Sequence, residues 1–410
     1  MLSVEIEEIK KKVARQLYYG DVIIRVFIVA RIRFMRILIA LYKYFPWGGL
    51  QKDTLRIINA VLEAGHEVVL FTTSWEGTPL PNGLKIEKII PKGWSNHGKM
   101  LSFSRKFNKR LEAGDVDVSL AMNRIAGADF YFTADSCLKT YLPQKHGFLA
   151  RHLLARYRVF LELENSIFKP EAKTTIFWIA QAQKKKFEDA YHTPEERFAE
   201  LPPGMNPRCI RSDQAEKIRS KMREKLHLKP ETIAIIMIAS NFQLKGADRT
   251  LQAIRNLPEK QRENCNFILV GNVNVESALQ EARVLHLEKQ VLFPGAKNNI
   301  DEYLLASDLM VHPARQEGTG TVLIEAIASG VPVICSGACG FSPYVRESSG
   351  AVLSEPFQQS ELDAALSTTL AKLPELTEKT RAYAKTQNFC GRAAVVLQNL
   401  ENFVQKNKIK

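Results

Sequence analysis

Two carboxylates eight residues apart frame the stretch of this chain best suited to chemistry, Glu317-Gly318-Thr319-Gly320-Thr321-Val-Leu-Ile-Glu325, which Ala-Ile-Ala-Ser-Gly330-Val-Pro-Val-Ile follows. The Gly-Thr-Gly turn opens an apolar helix, and the first peptide N–H groups of a helix lack intrahelical partners, so they suit an anion. Glu317 stands at that loop and Glu325 about two turns into the helix, within reach of the same ligand. Val322, Leu323, Ile324 and Ile327 bury the helix, and a carboxylate among such residues needs a partner. An anion site, a hydroxyl-rich group and two acceptors in one place fit a nucleotide sugar. Two solvated glutamates on a helix are the plain alternative.

Lys245-Gly246 adds a cation. It follows the apolar run Ile233–Ala239 and is expected to open a helix at the same carboxyl edge of a sheet, where a lysine neutralises a phosphate. In the first third of the chain, Gly48-Gly49 lies between strand and helix and lets a ligand approach the backbone. Asp53, in the first turn of the next helix, reads either as a ligand for an acceptor hydroxyl or as an acid complementing the helix dipole. Asp135, at the end of the run Ala128–Ala134, reads as an acceptor-side group, as the N-cap of the next segment, or as both.

These residues need two sheets to position them. At 410 residues the chain exceeds one ordinary core. The runs Met35–Tyr42 and Glu67–Thr73 enclose an amphipathic Leu50–Ala64, a βαβ unit that opens a Rossmann-like domain. Leu201-Pro-Pro-Gly-Met-Asn-Pro207 is the densest cluster of chain breakers and the expected hinge. Beyond it, strands are expected at Ile233–Ala239, Asn266–Val270, Val291–Phe293, Leu309–His312 and Val331–Ser336. Helices are expected at Ala247–Asn256, Ser277–Leu287, Ile300–Ala306 and Val322–Ser329. Glu361–Leu373 and Thr380–Lys406 read as closing helices. The expected division is an N-terminal extension over 1–34, an acceptor-binding domain over 35–200, a nucleotide-sugar-binding domain over 201–375 and closing helices over 376–410.

The formal net charge of +13 favours an anionic partner. Between Lys139 and Phe168, the basic residues Arg151, Arg156 and Arg158 alternate with Phe148, Leu149, Leu153, Leu154, Tyr157 and Phe160. A basic amphipathic helix of this kind suits an anionic membrane surface, with an ordinary solvated helix as the alternative. No groove-reading motif supports nucleic acid. The segment Asp21–Phe34 reads either as a membrane-surface piece or as sequence upstream of the true start, since Met35 opens a clean strand. The six cysteines form no C-x-x-C pair and read as reduced core thiols. Asp115-Val-Asp117 is a D-x-D that could recruit a divalent cation, but it begins an apolar strand away from the donor loops and reads as a strand entry. No metal and no other cofactor is expected.

The residues resemble the retaining GT-B glycosyltransferases that carry the E-x7-E motif, from Met35 nearly to the C-terminus. Leu41-Tyr-Lys-Tyr-Phe-Pro-Trp-Gly-Gly-Leu-Gln-Lys-Asp53, Ser74-Trp-Glu-Gly77, Asn96-His-Gly98, Leu201-Pro-Pro-Gly204 and His312-Pro-Ala-Arg-Gln-Glu317 are similar to members that add glucose to the inner-core heptose of lipopolysaccharide. The resemblance implies an α/β fold of two Rossmann-like doubly wound domains facing across a cleft. It also implies a UDP-sugar donor, an inner-core acceptor, and a peripheral site on anionic lipids at the cytoplasmic face of the bacterial inner membrane. It assigns the ribose to Glu325, the donor sugar to Glu317, and the diphosphate to Lys245 and residues Gly318 to Thr321. Gly48 and Gly49 would border the donor, and Asp53 and Asp135 would face the acceptor, with catalysis resting on Glu317, Lys245 and Asp135. The arginine that accompanies the lysine in that family is absent from Asn241–Leu244, which implies weaker leaving-group stabilisation or an arginine from elsewhere. Transfer of another hexose or N-acetylhexosamine, a GT-B-like epimerase and a membrane module with a dead site are the rival readings.

Overall fold

The computed structural model describes residues 34–46, 48–145, 154–271 and 275–408. Phe148, Leu149, Arg151, Leu153 and all but the last residue of Asp21–Phe34 lie outside them. The first domain holds β1 (Arg36–Ala40), α1 (Gly49–Glu63), β2 (Glu67–Thr72), β3 (Lys85–Lys88), α2 (Asn96–Leu111), β4 (Val118–Ala121), β5 (Phe130–Phe132), α3 (Leu138–Lys145), α4 (Ala155–Phe168), β6 (Thr175–Trp178), α5 (Gln181–Tyr191) and β7 (Phe198–Glu200). Its seven strands are parallel, in the order β3-β2-β1-β4-β5-β6-β7.

The second domain runs through α6 (Ala215–Lys225), β8 (Ile233–Ile238), α7 (Phe242–Lys245), α8 (Ala247–Asn256), α9 (Glu259–Glu263), β9 (Cys265–Val270), α10 (Val275–Val284), β10 (Val291–Gly295), α11 (Ile300–Ala306), β11 (Leu309–His312), α12 (Thr321–Ala328), β12 (Val333–Ser336), α13 (Ser342–Glu347), β13 (Ala351–Leu353), α14 (Gln359–Ala371), α15 (Leu373–Thr386) and α16 (Arg392–Lys408). Its sheet is parallel as well, in the order β10-β9-β8-β11-β12-β13. Both orders are doubly wound, with ligand sites at the carboxyl ends of the strands.

A parallel sheet has helices on both faces, which is why its inner strands are largely apolar rather than alternating, while the edge strand β3 carries lysine and glutamate. In the first sheet Leu38, Ala40 and Phe71 pack against Phe103 and Phe107 of α2 and Phe168 of α4. The alternate residues Ile37, Ile39 and Leu70 face Ile57, Ile58 and Val61 of α1, with Leu400 and Val404 of α16 in the same cluster. The last helix of the chain thus returns to cover the first domain. It also fixes the expected hinge. Arg392 Nε donates to the Pro202 carbonyl at 3.0 Å, and a Cβ on Gly204 would meet the Arg392 side chain at 2.9 Å.

The structure differs from the sequence reading at two elements. Thr380–Lys406 is not one helix: the chain breaks between α15 and α16, where Phe389 is buried and its carbonyl accepts from Met205 N at 3.2 Å. Lys245 ends a one-turn helix instead of opening the longer one. Asn241 caps that turn by accepting from Leu244 N at 2.8 Å, and Gly246, at φ +81°, redirects the chain into α8. A side chain on Gly246 would also strike the Pro313 carbonyl at 2.3 Å, so glycine is needed on two counts.

Candidate active site

The loop between β11 and α12 brings Glu317 to the carboxyl edge of the second sheet, with Gly320 at φ +84° as the helix N-cap. The loop after β12 braces it. Glu317 and Cys339 form an isolated bridge, Phe341 N donates to the Thr319 carbonyl at 2.7 Å, and only a glycine fits at 340, whose Cβ would lie 2.2 Å from the Gly318 carbonyl. Gly318 faces open space, so backbone is available to a ligand there.

Lys245 and Glu317 meet. Nζ lies 2.7 Å from Glu317 Oε2 and donates to the Gln316 carbonyl at 3.0 Å. His312 Nε2 is 3.5 Å from the same carboxylate oxygen. Burial pushes the Glu317 carboxyl up, but the His312 imidazole and the Lys245 ammonium override burial and hold it at about 2. Glu317 is therefore a carboxylate at any working pH. His312 is fully buried; its Nδ1 has no hydrogen-bond partner among the described residues, and its Nε2 faces the Glu317 carboxylate. The sequence placed it as a strand end and as the first residue of the motif that runs to Glu317, with no role of its own. The signal was a histidine closing an apolar strand five residues before the loop carboxylate.

Glu325 is half-buried on the second turn of α12. Burial raises its carboxyl above the ordinary value, against the charges of Lys52 and Arg56 and the Asn206 N–H. Lys52 is one turn beyond Gly48, whose carbonyl accepts from its N–H at 3.0 Å, so the first turns of α1 face Glu325 from the other domain. Gly49 has open space around it, whereas Gly48 is packed against Gln51 and Phe45. Ribose hydroxyls donating to Glu325 would favour its ionised form. UDP affinity is then expected to fall as pH drops through the raised carboxyl value. Glu325→Gln should remove that dependence and cost about 1.5–3 kcal/mol of binding. Calorimetric affinities equal in acid and neutral buffer for the parent would contradict the ribose role. Without ligand the sign reverses: a raised folded value contributes stability below the ordinary carboxylate range, lost as pH rises through it.

A cleft of about 330 Å³ lies between the domains, lined by Ser136, Thr140, Tyr141, Gln183 and Lys186 on one side and Arg315 to Gly318 and Gly337 to Gly340 on the other. Asp135 is beside it, half-exposed, with Oδ2 3.1 Å from Arg124 Nη1. It does not cap α3. Glu164 does, accepting from Leu138 N and Lys139 N at 2.9 and 3.1 Å and from Tyr191 Oη at 2.8 Å, fully buried. Arg315 lies beside the Lys245 turn, its backbone N–H donating to the Leu244 carbonyl at 2.9 Å. It donates to the Gln243 carbonyl at 2.6 Å and holds Asp248 through two bonds of 2.8 and 2.6 Å.

Asp53 is held between two arginines. One oxygen takes Arg392 Nη1 at 2.7 Å and the other Arg56 Nη1 at 3.0 Å, in the buried joint between α1 and α16. Asp115 pairs with Arg36 and Arg110, and Asp117 accepts from Arg36 N at 2.8 Å. The D-x-D thus holds strand ends together. Among the described residues no group of three or more His, Cys, Asp or Glu is arranged to hold a metal ion. Arg156 and Arg158 are exposed at the start of α4. No described helix is long and apolar enough to cross a membrane.

The family described as glycosyl transferases group 1 matches residues 218–387. The lipopolysaccharide glucosyltransferase WaaG of Escherichia coli K12 is 35% identical over 358 residues, 86% of this chain and 95% of that protein. The chain belongs to the group 1 glycosyltransferases. A crystal structure of WaaG superposes with a TM-score of 0.79 at 33% identity, covering 89% of this chain and 99% of the other. The GT-B fold expected from the sequence is the one observed. Anabaena HepE, solved with UDP and glucose, shares that fold at 18% identity and a TM-score of 0.66, covering 91% of this chain and 99% of its own.

Proposed function

We propose that the protein transfers glucose from UDP-glucose, with retention, to the inner-core heptose of lipopolysaccharide at the cytoplasmic face of the inner membrane. The observation that carries this is the match to a lipopolysaccharide glucosyltransferase over 95% of its length, with the Lys245–Glu317 pair intact at the mouth of the cleft.

Breaking the sugar–diphosphate bond puts growing negative charge on the leaving group. Lys245, Arg315 and the backbone N–H groups opening α12 are the positive groups at that position, and they act without reorganising during reaction. Glu317 orients the donor sugar and Glu325 holds the ribose. Asp135 faces the acceptor from the opposite wall, and Arg156 and Arg158 hold the first domain on anionic lipid. This reading needs no metal. Hydrolysis of a UDP-sugar panel without acceptor tests it. UDP-glucose is expected to be consumed fastest, and the rate should survive EDTA. Preference for UDP-N-acetylglucosamine with formation of its epimer, or activity lost in EDTA and restored by Mn²⁺, would contradict the reading.

A further inference from the structure

We propose that the loop between β3 and α2 is a second membrane-contacting element, which seats Trp94 and Ile90 in the interfacial region of an anionic lipid surface. The inference rests on the reading of the enzyme as one that works on a membrane-held acceptor, and it concerns a part of the chain that reading does not use. Trp94 is 106% exposed and Ile90 81%. An exposed tryptophan on a loose loop would mean little, but this loop is tightly held. Lys92 N donates to Ser102 Oγ at 2.9 Å, Lys106 Nζ donates to the Ile90 carbonyl at 2.9 Å, and Ser95 Oγ caps α2 through Gly98 N at 3.1 Å. Gly93, at φ +137°, packs so closely that a Cβ would lie 2.9 Å from the Gly98 carbonyl carbon. The fold fixes the backbone and leaves both apolar side chains in water.

The surroundings indicate what covers them. From Lys88 to Arg110 the chain carries five lysines, two arginines and no acidic residue. Tryptophan with flanking lysines is the pattern of a bilayer interface, where the ring sits at headgroup depth and the cations meet lipid phosphate. A saccharide platform would instead favour carboxylates beside the ring, and this stretch has none; its nearest amide, Asn96, belongs to the first turn of α2. Position agrees. Helix α2 packs against α4, and both run antiparallel to the strands, so both begin at the carboxyl edge of the first sheet. Glu164 caps α3 near that edge, nine residues beyond Ala155, so the start of α4 projects roughly 13 Å past it. Leu154, half-exposed, and the exposed Arg156 and Arg158 stand there. The loop and the tip of α4 together give one edge two apolar, cation-flanked points of contact.

The test is co-sedimentation of the full chain with vesicles of phosphatidylglycerol and phosphatidylethanolamine, and with phosphatidylcholine alone as the neutral control. Ile90→Ser with Trp94→Ser is expected to lower partitioning onto the anionic vesicles about tenfold, with thermal unfolding and vesicle-free UDP-glucose hydrolysis unchanged. Trp94→Tyr should restore most of the binding. The helix is tested separately with Arg156→Glu and Arg158→Glu, so a failure of that element does not touch the loop. Parental partitioning by the double serine variant would overturn the proposal. So would a raised KM for a soluble, delipidated acceptor oligosaccharide in Trp94→Ser, which would make the ring a sugar platform.

Discussion

Lys245→Ala is expected to lower kcat by about a hundredfold to a thousandfold, as removal of one preorganised stabiliser of developing charge does, with a smaller loss of UDP affinity. The geometry gives the reason. The ammonium sits 2.7 Å from Glu317 and is anchored on the Gln316 carbonyl, so in the proposed reaction it needs no reorganisation to meet the departing diphosphate. Lys245→Arg should retain part of the rate. The substitution has a second consequence through Glu317, whose carboxyl is held at about 2 against the upward pull of burial. Without the lysine only His312 opposes that pull, so the variant should gain an acid limb in its pH–rate profile that the parent lacks. Steady-state kinetics across pH decides this. A flat profile and parental kcat in Lys245→Ala would remove the lysine from the reaction.

Glu317→Gln is expected to cost both turnover and stability. The amide keeps the shape but leaves Lys245 in the loop without its counter-charge, and breaking a largely buried pair from one side costs on the order of 3 kcal/mol. The side chains are 15% and 17% exposed, so solvent softens that figure only in part. Turnover should fall further than donor affinity, because orienting the reacting sugar matters most near the transition state. The sign of the pH effect follows from the lowered carboxyl value. In the parent this pair contributes stability above the ordinary carboxylate value of 4.5, and that contribution is lost as pH falls toward 2. Glu317→Gln should flatten that part of the acid denaturation curve. Unfolding curves for the two proteins that stay parallel through this range would contradict the assignment.

Local pattern carried much of this molecule. The strands of the second sheet are apolar because helices cover both faces, and that alone placed β8, β9 and β11 within a residue of their observed ends. The Glu317–Glu325 spacing located the helix, and the shared sheet edge brought Lys245 to it across 72 residues of sequence. What could not be read was set by distant partners. Nothing near Asp53 in sequence announces Arg392, 339 residues away, which takes one of its oxygens. Asp135 looks like an N-cap until Glu164 arrives from another helix with better geometry. Arg315 falls outside the short window around Lys245 and reaches its turn through the Gln243 carbonyl. The cap of α7 is a different case: Asn241 three residues before Leu244 and the glycine at 246 were both visible, and the one-turn helix they enclose was simply shorter than the pattern sought.

The most direct test of the central claim is incubation with UDP-glucose and a heptose-terminated lipopolysaccharide core, with the product linkage read by NMR. The account predicts one glucose per core, α-linked to the heptose, with UDP released in equal amount. A β-linked product, glucose released into solution with none on the core, or transfer only from another UDP-sugar would contradict it.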